Sequence, residues 1–274
     1  LADKLTKIAS QQLLVGLRFK EPRMKEIQKS IDLYNNKTEP ALKGRKNVPL
    51  PTMSGFVETL KSEIDDPINI KFKGREDADK RKAMKVQSAF DMDTNINEGD
   101  WTSADLDQKT LAIFSGRAIS ETYAAEDPYK AIDETIDYVD FVCEPSGGAY
   151  LENHLYHGKT NVIRTKAELL KGVGGGFYDK KQIKKLVDET SEGDFKTNEI
   201  LFNFKADRMK SLGLDVGTNN YIGQQVYSLT EWIMDYEGEK YYLFFDHKTQ
   251  TWIRCELLKD VFGVNKTPFV SWAT

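Results

Sequence analysis

The chain has few of the residues that build covalent or metal frameworks. Its 274 residues include two cysteines, Cys143 and Cys255, and three histidines. The cysteines lie far apart, each within an apolar, strand-like run, which argues against a disulfide framework or a thiolate metal cage. We therefore expect a reducing compartment, no cofactor and no bound metal.

Long apolar runs and a strong net charge are absent as well. No apolar run approaches the roughly 20 residues of a membrane-spanning helix, and residues 1–19 contain Lys, Asp and Gln, so neither an anchor nor a signal peptide is predicted. The formal net charge of -4 does not support sequence-specific DNA binding, although passive contact with DNA stays open. Because residue 1 is Leu and the last ten residues still have a structured pattern, we expect further sequence beyond both ends.

The composition itself is that of a soluble globular protein. Hydrophobic residues make up 39% of the chain and charged residues 30%, which suffices for a buried core inside a solvated exterior. The length suits two lobes. We place a mainly helical lobe with one short strand at 1–125, and an α+β lobe at 126–274.

Apolar spacing predicts the elements of the first lobe. They are a helix beginning after Pro22 with a Met24–Tyr34 stripe, a helix over Met53–Ile64, a strand over Ile68–Phe72, a surface helix over Glu76–Phe90, a helix over Ala104–Phe114 and an extended segment over Ile119–Tyr123. Helix and strand are thus mixed throughout.

The second lobe is richer in strand. Its predicted elements are a buried strand over Ile136–Cys143, helices capped by Thr165 and Asp179, a long loop or lobe junction over 188–222, and three strands over Val226–Tyr236, Lys240–Phe245 and Thr251–Leu258. Short turns join the three strands, which predicts an antiparallel meander. The expected fold class is α+β, with N-terminal helices and a small antiparallel, barrel-like sheet.

The order of short motifs in the last half resembles bacteriophage portal proteins, in their wing region. After Glu231-Trp232 come an aromatic strand at 241–245, then Trp252-Ile253-Arg254, and finally Pro268-Phe269 within a closing strand that ends at Trp272. Upstream, the strand Asp140–Pro145, an extended run to Arg164 and a helix pair around Tyr178-Asp179 are also similar to the family. The motifs are individually short, and their shared order is what makes the resemblance.

This resemblance implies a structural protein and not an enzyme. It implies a ring, a dodecamer in the family, at a unique capsid vertex of the virion, assembled in the host cytoplasm, through which double-stranded DNA is packaged and ejected. Implied partners are further copies of the chain, the terminase that holds the motor ATPase, the major capsid protein and a head-tail adaptor, with no membrane. Trp232, Trp252, Arg254, Pro268 and Phe269 would be structural residues, and the stem, clip and crown of a full portal are absent here.

Three local patterns have both a functional and a structural interpretation. Gly172–Gly176 lacks the Lys-Ser/Thr of a phosphate loop, so a helix-to-helix turn is favoured. Asp91, Asp93 and Asn95 begin like a calcium loop without its Gly and Glu, which favours an acidic loop. His154 and His157 beside Glu152 lack a third zinc ligand, which favours packing roles.

Aromatic and basic clusters raise the question of nucleic acid. Three tryptophans at intervals of twenty suggest a stacking platform, against which core packing or a subunit interface is favoured; they are Trp232, Trp252 and Trp272. The cations around 75–85 are interleaved with acids, which indicates a solvated helix. A less diluted patch is the one nominated for contact with DNA or an acidic partner, with a solvated face as its alternative: Lys180, Lys181, Lys184 and Lys185.

Two other functions stay open. One is a metal-dependent nucleic-acid-processing enzyme, with Asp91 and Asp93 as candidate ligands. The other is a different ring-shaped head-tail connector. No Ser or Cys nucleophile pairs with a nearby His in the sequence, so catalysis is not predicted.

Overall fold

The computed structural model describes residues 1–35, 52–64, 71–76, 79–95, 101–124, 131–148, 150–190, 194, 207–212 and 225–273. The chain divides into two compact units, each built from two separate stretches. The first unit comprises Leu1–Ile31 and Asp137–Thr267, and the second comprises Asp32–Ile136 and Pro268–Thr274. The predicted border at residues 125/126 followed chain order, whereas contacts join each terminus to a distant stretch.

Helices and antiparallel sheets alternate along the chain. The helices are α1 (Ala2–Tyr34), α2 (Thr52–Ile64), α3 (Lys80–Asn95), α4 (Trp101–Ser115), α5 (Lys166–Gly174), α6 (Lys180–Glu189) and α7 (Leu258–Phe262). The strands are β1 (Arg117–Ala124), β2 (Ala131–Ile136), β3 (Phe141–Cys143), β4 (Tyr156–Thr165), β5 (Val226–Tyr236), β6 (Glu239–Asp246), β7 (Thr251–Leu257) and β8 (Phe269–Ala273). The predicted mixture of helix and antiparallel sheet is confirmed. No helix within these ranges is long and apolar enough to cross a membrane.

The sheet of the first unit is open. Its strand order is β3-β4-β5-β6-β7, so β3 and β7 form two separate edges. The expectation of a barrel-like sheet was therefore wrong, because β3 and β7 do not pair with each other. The predicted meander of three strands is confirmed as β5, β6 and β7, which pair antiparallel in sequence order.

A two-residue turn sets the register of the first hairpin. Glu237 and Gly238 have φ angles of 55° and 82°, which are the left-handed values that a tight hairpin turn requires. The turn brings Trp232 opposite Leu243 and Met234 opposite Tyr241. Since paired residues share a face of the sheet, these apolar side chains point to one side.

The strand that contains Phe269 belongs to the other sheet. β8 pairs antiparallel with β1, with Phe269 opposite Glu121, in a three-stranded sheet ordered β2-β1-β8. The sequence suggested that this strand closes the meander. In the structure the chain leaves β7 through α7 and enters the second unit, where β1 offers a free edge between 117 and 121.

Helix α1 is much longer than predicted. It begins at Ala2 and contains Pro22, which is exposed. Its buried face includes Leu5, Ala9 and Leu13, at the four-residue spacing of a single helical face. Gly16 allows the helix to approach β3 closely, because a Cβ at this position would lie 2.3 Å from Val142 Cγ1. A proline on the solvent side removes one internal hydrogen bond without burying the unpaired carbonyl, so the helix continues through it.

The predicted strand over Ile136–Cys143 is interrupted. β2 ends at Ile136, a 3-10 turn covers Tyr138–Asp140, and β3 begins at Phe141 in the other sheet. The cause is local, since the Asp137 side chain accepts a hydrogen bond from the Val139 amide and caps this turn. An apolar run therefore serves two sheets in succession.

Most other predicted elements lie close to their expected positions. The helices predicted near 53–64 and 104–114 are confirmed, and the surface helix predicted over 76–90 runs from Lys80 to Asn95 instead. Within the strand predicted over 68–72, residues 68–70 lie outside the described residues, and residues 71 and 72 are not in a strand. Most of the loop predicted over 188–222 also lies outside them.

The five-stranded sheet has a helical layer on each face. On one face α1 packs Leu5, Ala9 and Leu13 against Trp232 and its apolar neighbours on β5 and β6. On the other face Phe244 contacts the ring of Tyr178, which lies between α5 and α6. The core of the first unit is therefore a helix-sheet-helix sandwich.

Candidate functional site

Helix α6 presents the lysine patch as a single exposed face. Asp179 caps the helix by accepting hydrogen bonds from the Lys181 and Gln182 amides at 2.8 and 3.0 Å, as the sequence predicted. Ile183 and Leu186 are buried toward the sheet. The side chains on the opposite face are all exposed; they are Lys180, Lys181, Lys184 and Lys185.

Acidic groups compensate this face only in part. Lys185 Nζ lies 3.9 Å from Glu189 Oε1, and both side chains are about half exposed. Such a surface pair contributes little to stability. No ion pair joins Lys180, Lys181 or Lys184 to another residue that the structure describes. Four ammonium groups therefore meet solvent along one short helix.

The glycine run between α5 and α6 is a turn, as predicted. The Gly175, Gly176 and Phe177 amides donate to the carbonyl oxygens of Lys171, Val173 and Gly172. Gly176 has a φ of 75°, which suits glycine. A phosphate cradle requires amides that point at a ligand, whereas these amides close the end of α5.

The two histidines of the suspected zinc pair are buried packing residues. His154 Nε2 lies 3.0 Å from the Gly148 carbonyl oxygen, and His157 Nε2 lies 2.8 Å from Thr267 Oγ1. Their ring centroids are 6.5 Å apart at an angle of 83°. The nitrogens that would face a shared ion thus contact two different protein groups.

The acidic segment with calcium-like spacing is helical. α3 continues through Asn95, and Asp91 Oδ1 accepts a hydrogen bond from Gln87 Nε2 on the preceding turn at 2.8 Å. The predicted acidic loop at 91–95 was therefore wrong, although residues 96–100 lie outside the described part of the chain. Neither calcium binding nor metal-dependent cleavage through Asp91 and Asp93 gains support from this geometry, and both stay predictions.

The tryptophans do not form one platform on the first unit. Trp232 is fully buried, stacks on Tyr156 with centroids 5.6 Å apart, and donates from Nε1 to Gln12. Trp252 is half-buried and donates from Nε1 to Asp3 at 2.9 Å. Trp272 lies on β8, in the second unit. Packing, the favoured interpretation, describes Trp232 well.

The remaining residues of the portal resemblance lie in structural positions. The Arg254 guanidinium pairs with Glu256 at 2.9 Å and lies over the Tyr242 ring at 5.5 Å. Pro268 precedes β8 and its carbonyl accepts from the Thr122 amide, while Phe269 is buried. These contacts are those of scaffold residues, and the family role assigned to them stays a prediction.

A buried group of charges had not been expected. Lys20, on the inner face of α1, donates to the carbonyl oxygens of Val139 and Phe141. Asp137 pairs with Arg208, with Nε and Oδ2 2.9 Å apart. Asp140 accepts from Asn161 Nδ2 at 2.8 Å. We call these four ionisable residues the buried charge cluster: Lys20, Asp137, Asp140 and Arg208.

Burial shifts the protonation equilibria of this cluster. It lowers the pKa of Lys20 to about 8, although Asp140 and Asp137 oppose the shift. Burial also raises the pKa of Asp137, against the effect of Arg208. One signal in the sequence pointed to the cluster, because Lys20 falls on the same helical face as Leu13, Gly16 and Ile27. The ligands of this lysine are carbonyl groups more than a hundred residues away, which sequence spacing does not reveal.

A small polar cleft lies near the second hairpin turn. Tyr227, Ser228, Asp246 and Thr249 line it, and Lys248 crosses it toward Asp194 at 3.7 Å. Burial raises the pKa of Tyr227. These groups do not form a nucleophile and base pair.

The structure thus gathers the lysines on one face but leaves the other candidate sites apart. Within the described residues, no group of three or more His, Cys, Asp or Glu side chains is arranged to hold a metal ion. Comparison with protein-family models gave no match, and no curated protein matched the chain.

Proposed function

We propose that the chain is the wing of a phage portal protein, a structural subunit of a closed homo-oligomeric ring. The ring, a dodecamer by resemblance, would occupy a unique capsid vertex and pass double-stranded DNA. The order of motifs from Asp140 to Trp272 supports the family. One observation on the molecule supports self-assembly, and it concerns the outer side of α1.

Helix α1 is apolar on two sides. Its inner side packs into the Trp232 core, as described above. On its outer side Leu14, Val15 and Phe19 are 54%, 55% and 67% exposed. At about 100° per residue these three side chains fall within an arc of about 140° on one helical face. We call them the outer α1 patch.

A helix with two apolar sides is typical of a helix covered on both. Exposed apolar side chains that cluster on one face mark interaction surfaces more often than isolated ones do. In a closed ring every subunit meets identical neighbours on two sides, so a second copy of the chain is the occupant that the proposal assigns to this patch.

The other partners follow from the family alone. The terminase, the major capsid protein and a head-tail adaptor would contact parts of a portal ring, and assembly would take place in the host cytoplasm. The motor ATPase would belong to the terminase, so this chain would have a structural role without catalysis.

Electron microscopy and mass photometry of the full chain test the proposal. We expect rings with a central hole in the wild-type protein. The double substitution Val15→Ser/Phe19→Ser should dissociate them while leaving the circular dichroism spectrum unchanged, since both side chains are exposed. Met84→Ser is the matched control, because Met84 is 70% exposed on α3 in the second unit. Wild-type monomers at high concentration would overturn the proposal, and rings that survive the double substitution would remove its support from α1.

A further inference from the structure

We infer that the lysine face of α6 binds the phosphate backbone of double-stranded DNA without reading base sequence. The inference rests on the proposed function in one respect, since DNA passage would bring this ligand to the protein. Its physical basis is separate, and consists of the geometry and charge order of one helix.

The four lysines are placed for a linear polyanion. In helical projection, at about 100° per residue, Lys180, Lys181, Lys184 and Lys185 fall within an arc of about 140°. Lys180 and Lys184 lie one turn apart along the axis, as do Lys181 and Lys185, a separation of about 6 Å at 1.5 Å per residue. Two parallel rows of ammonium groups therefore face solvent, and DNA presents closely spaced phosphates to such rows.

The order of charges along α6 opposes its own stability. Lys180 and Lys181 occupy the first turn, where the positive end of the helix dipole disfavours cations. Asp188 and Glu189 occupy the last turn, where the negative end disfavours anions. A helix selected for stability alone would have the reverse order. Departures from local rules of this kind are expected where a surface has a function.

The composition of the face favours phosphate over a protein partner. The exposed residues of α6 are charged, whereas its apolar residues Ile183 and Leu186 are buried. Protein interfaces are depleted in lysine and are organised around apolar or aromatic residues. Phosphate contacts instead need flexible point charges, which lysine provides.

Helix α3 offers a matched comparison in the same molecule. It exposes four cations as well, namely Lys80, Arg81, Lys82 and Lys85. Asp79 and Glu76 lie next to them in the sequence, and Met84 is exposed among them. Removing either set changes the net charge by the same amount, so the two helices separate a local site from general attraction.

Fluorescence anisotropy with a labelled duplex of mixed sequence, over a series of salt concentrations, tests the inference. The full-chain wild type should bind, with an affinity that falls as salt rises. Replacing all four α6 lysines by glutamine should weaken binding at least roughly tenfold at low salt and reduce the slope of log K against log salt by about 0.9 per lost phosphate contact. Replacing the α3 cations by glutamine should change the affinity less than about twofold, and replacing the α6 lysines by arginine should preserve binding.

The remaining outcomes would overturn the inference. Absence of wild-type binding at low salt, or equal losses from the α3 and α6 variants, would show that α6 is not a DNA site. Equal affinity for polyglutamate and for the duplex would identify an acidic protein as the partner instead. DNA binding lost with α6 while no rings form would contradict the proposed function alone, and rings without α6-dependent binding would contradict this inference alone.

Discussion

At the scale of single residues, Lys20 has an unusual position for a charged side chain. It is 4% exposed, donates to two backbone carbonyls and lies over the Tyr138 ring at 4.5 Å. A buried ammonium group retains its charge at neutral pH only because carbonyls and nearby carboxylates replace water. The pKa of about 8, below the ordinary 10.5, shows that this replacement is incomplete.

The stability of the protein should therefore depend on pH through Lys20. Below pH 8 the lysine is protonated in both states, and its burial as a cation destabilises the fold in full. Between pH 8 and 10.5 the folded state releases its proton while the unfolded chain keeps it, so stability rises with pH. Relative to Lys20→Met, the wild type should gain about 2 kcal/mol from pH 8 to 9.5, measured by urea unfolding. Lys25→Met, an exposed control on α1, should show a difference that does not vary with pH.

Trp232 is the residue on which the core of the first unit depends. It has no exposed surface and is stacked on Tyr156. Trp232→Ala should lower the free energy of unfolding by about 3–5 kcal/mol, because it leaves a large cavity between α1 and the sheet. Trp252→Ala, at a half-buried site, should cost clearly less in the same urea titration. Equal costs would show that the core is centred elsewhere.

At the scale of elements, α1 shows how packing overrides a local rule. Proline disfavours a helix interior by about 3 kcal/mol relative to alanine, yet Pro22 lies inside α1. The buried residues on both sides of it, from Leu5 to Ile31, hold the helix together across the interruption. The sequence prediction started the helix after this proline because it weighed the local preference alone.

Pro22→Ala should therefore stabilise the protein by about 1–3 kcal/mol, since alanine restores an amide donor to the carbonyl of Arg18 and Pro22 itself is exposed. The midpoint of thermal unfolding should rise. Arg23→Ala, at the next exposed position, should have little effect. A Pro22→Ala protein that unfolds at a lower temperature would indicate that the proline has a packing role.

At the scale of the whole molecule, each unit depends on a stretch from the far end of the chain. β8 supplies the outer strand of the second unit's sheet, where the Thr122 amide donates to the Pro268 carbonyl at 3.0 Å. Deleting residues 268–274 should accelerate hydrogen exchange at the β1 amides that pair with β8. Amides of β5 and β6 in the first unit should keep their protection. Unchanged exchange in β1 would contradict the pairing.

Local chemistry was readable from the sequence. The Thr165 capping box, the Asp179 cap and the Glu237-Gly238 turn are interactions within a few residues, and all three are present in the structure. The lysine face of α6 was also accessible, because its four lysines recur at helical spacing opposite Ile183 and Leu186. Patterns of this kind depend on neighbouring backbone atoms, which the sequence places without reference to the rest of the fold.

What the sequence by itself determined is therefore the class of structure: mixed helix and antiparallel sheet, the meander, and the caps that begin α5 and α6. Only the tertiary structure decided which sheet each strand joined, that α1 continues through Pro22, and that Lys20 meets the carbonyls of Val139 and Phe141. The physical reason is range. Caps and turns are made between neighbours, whereas strand partners and buried charges are chosen by contacts between residues about a hundred or more positions apart.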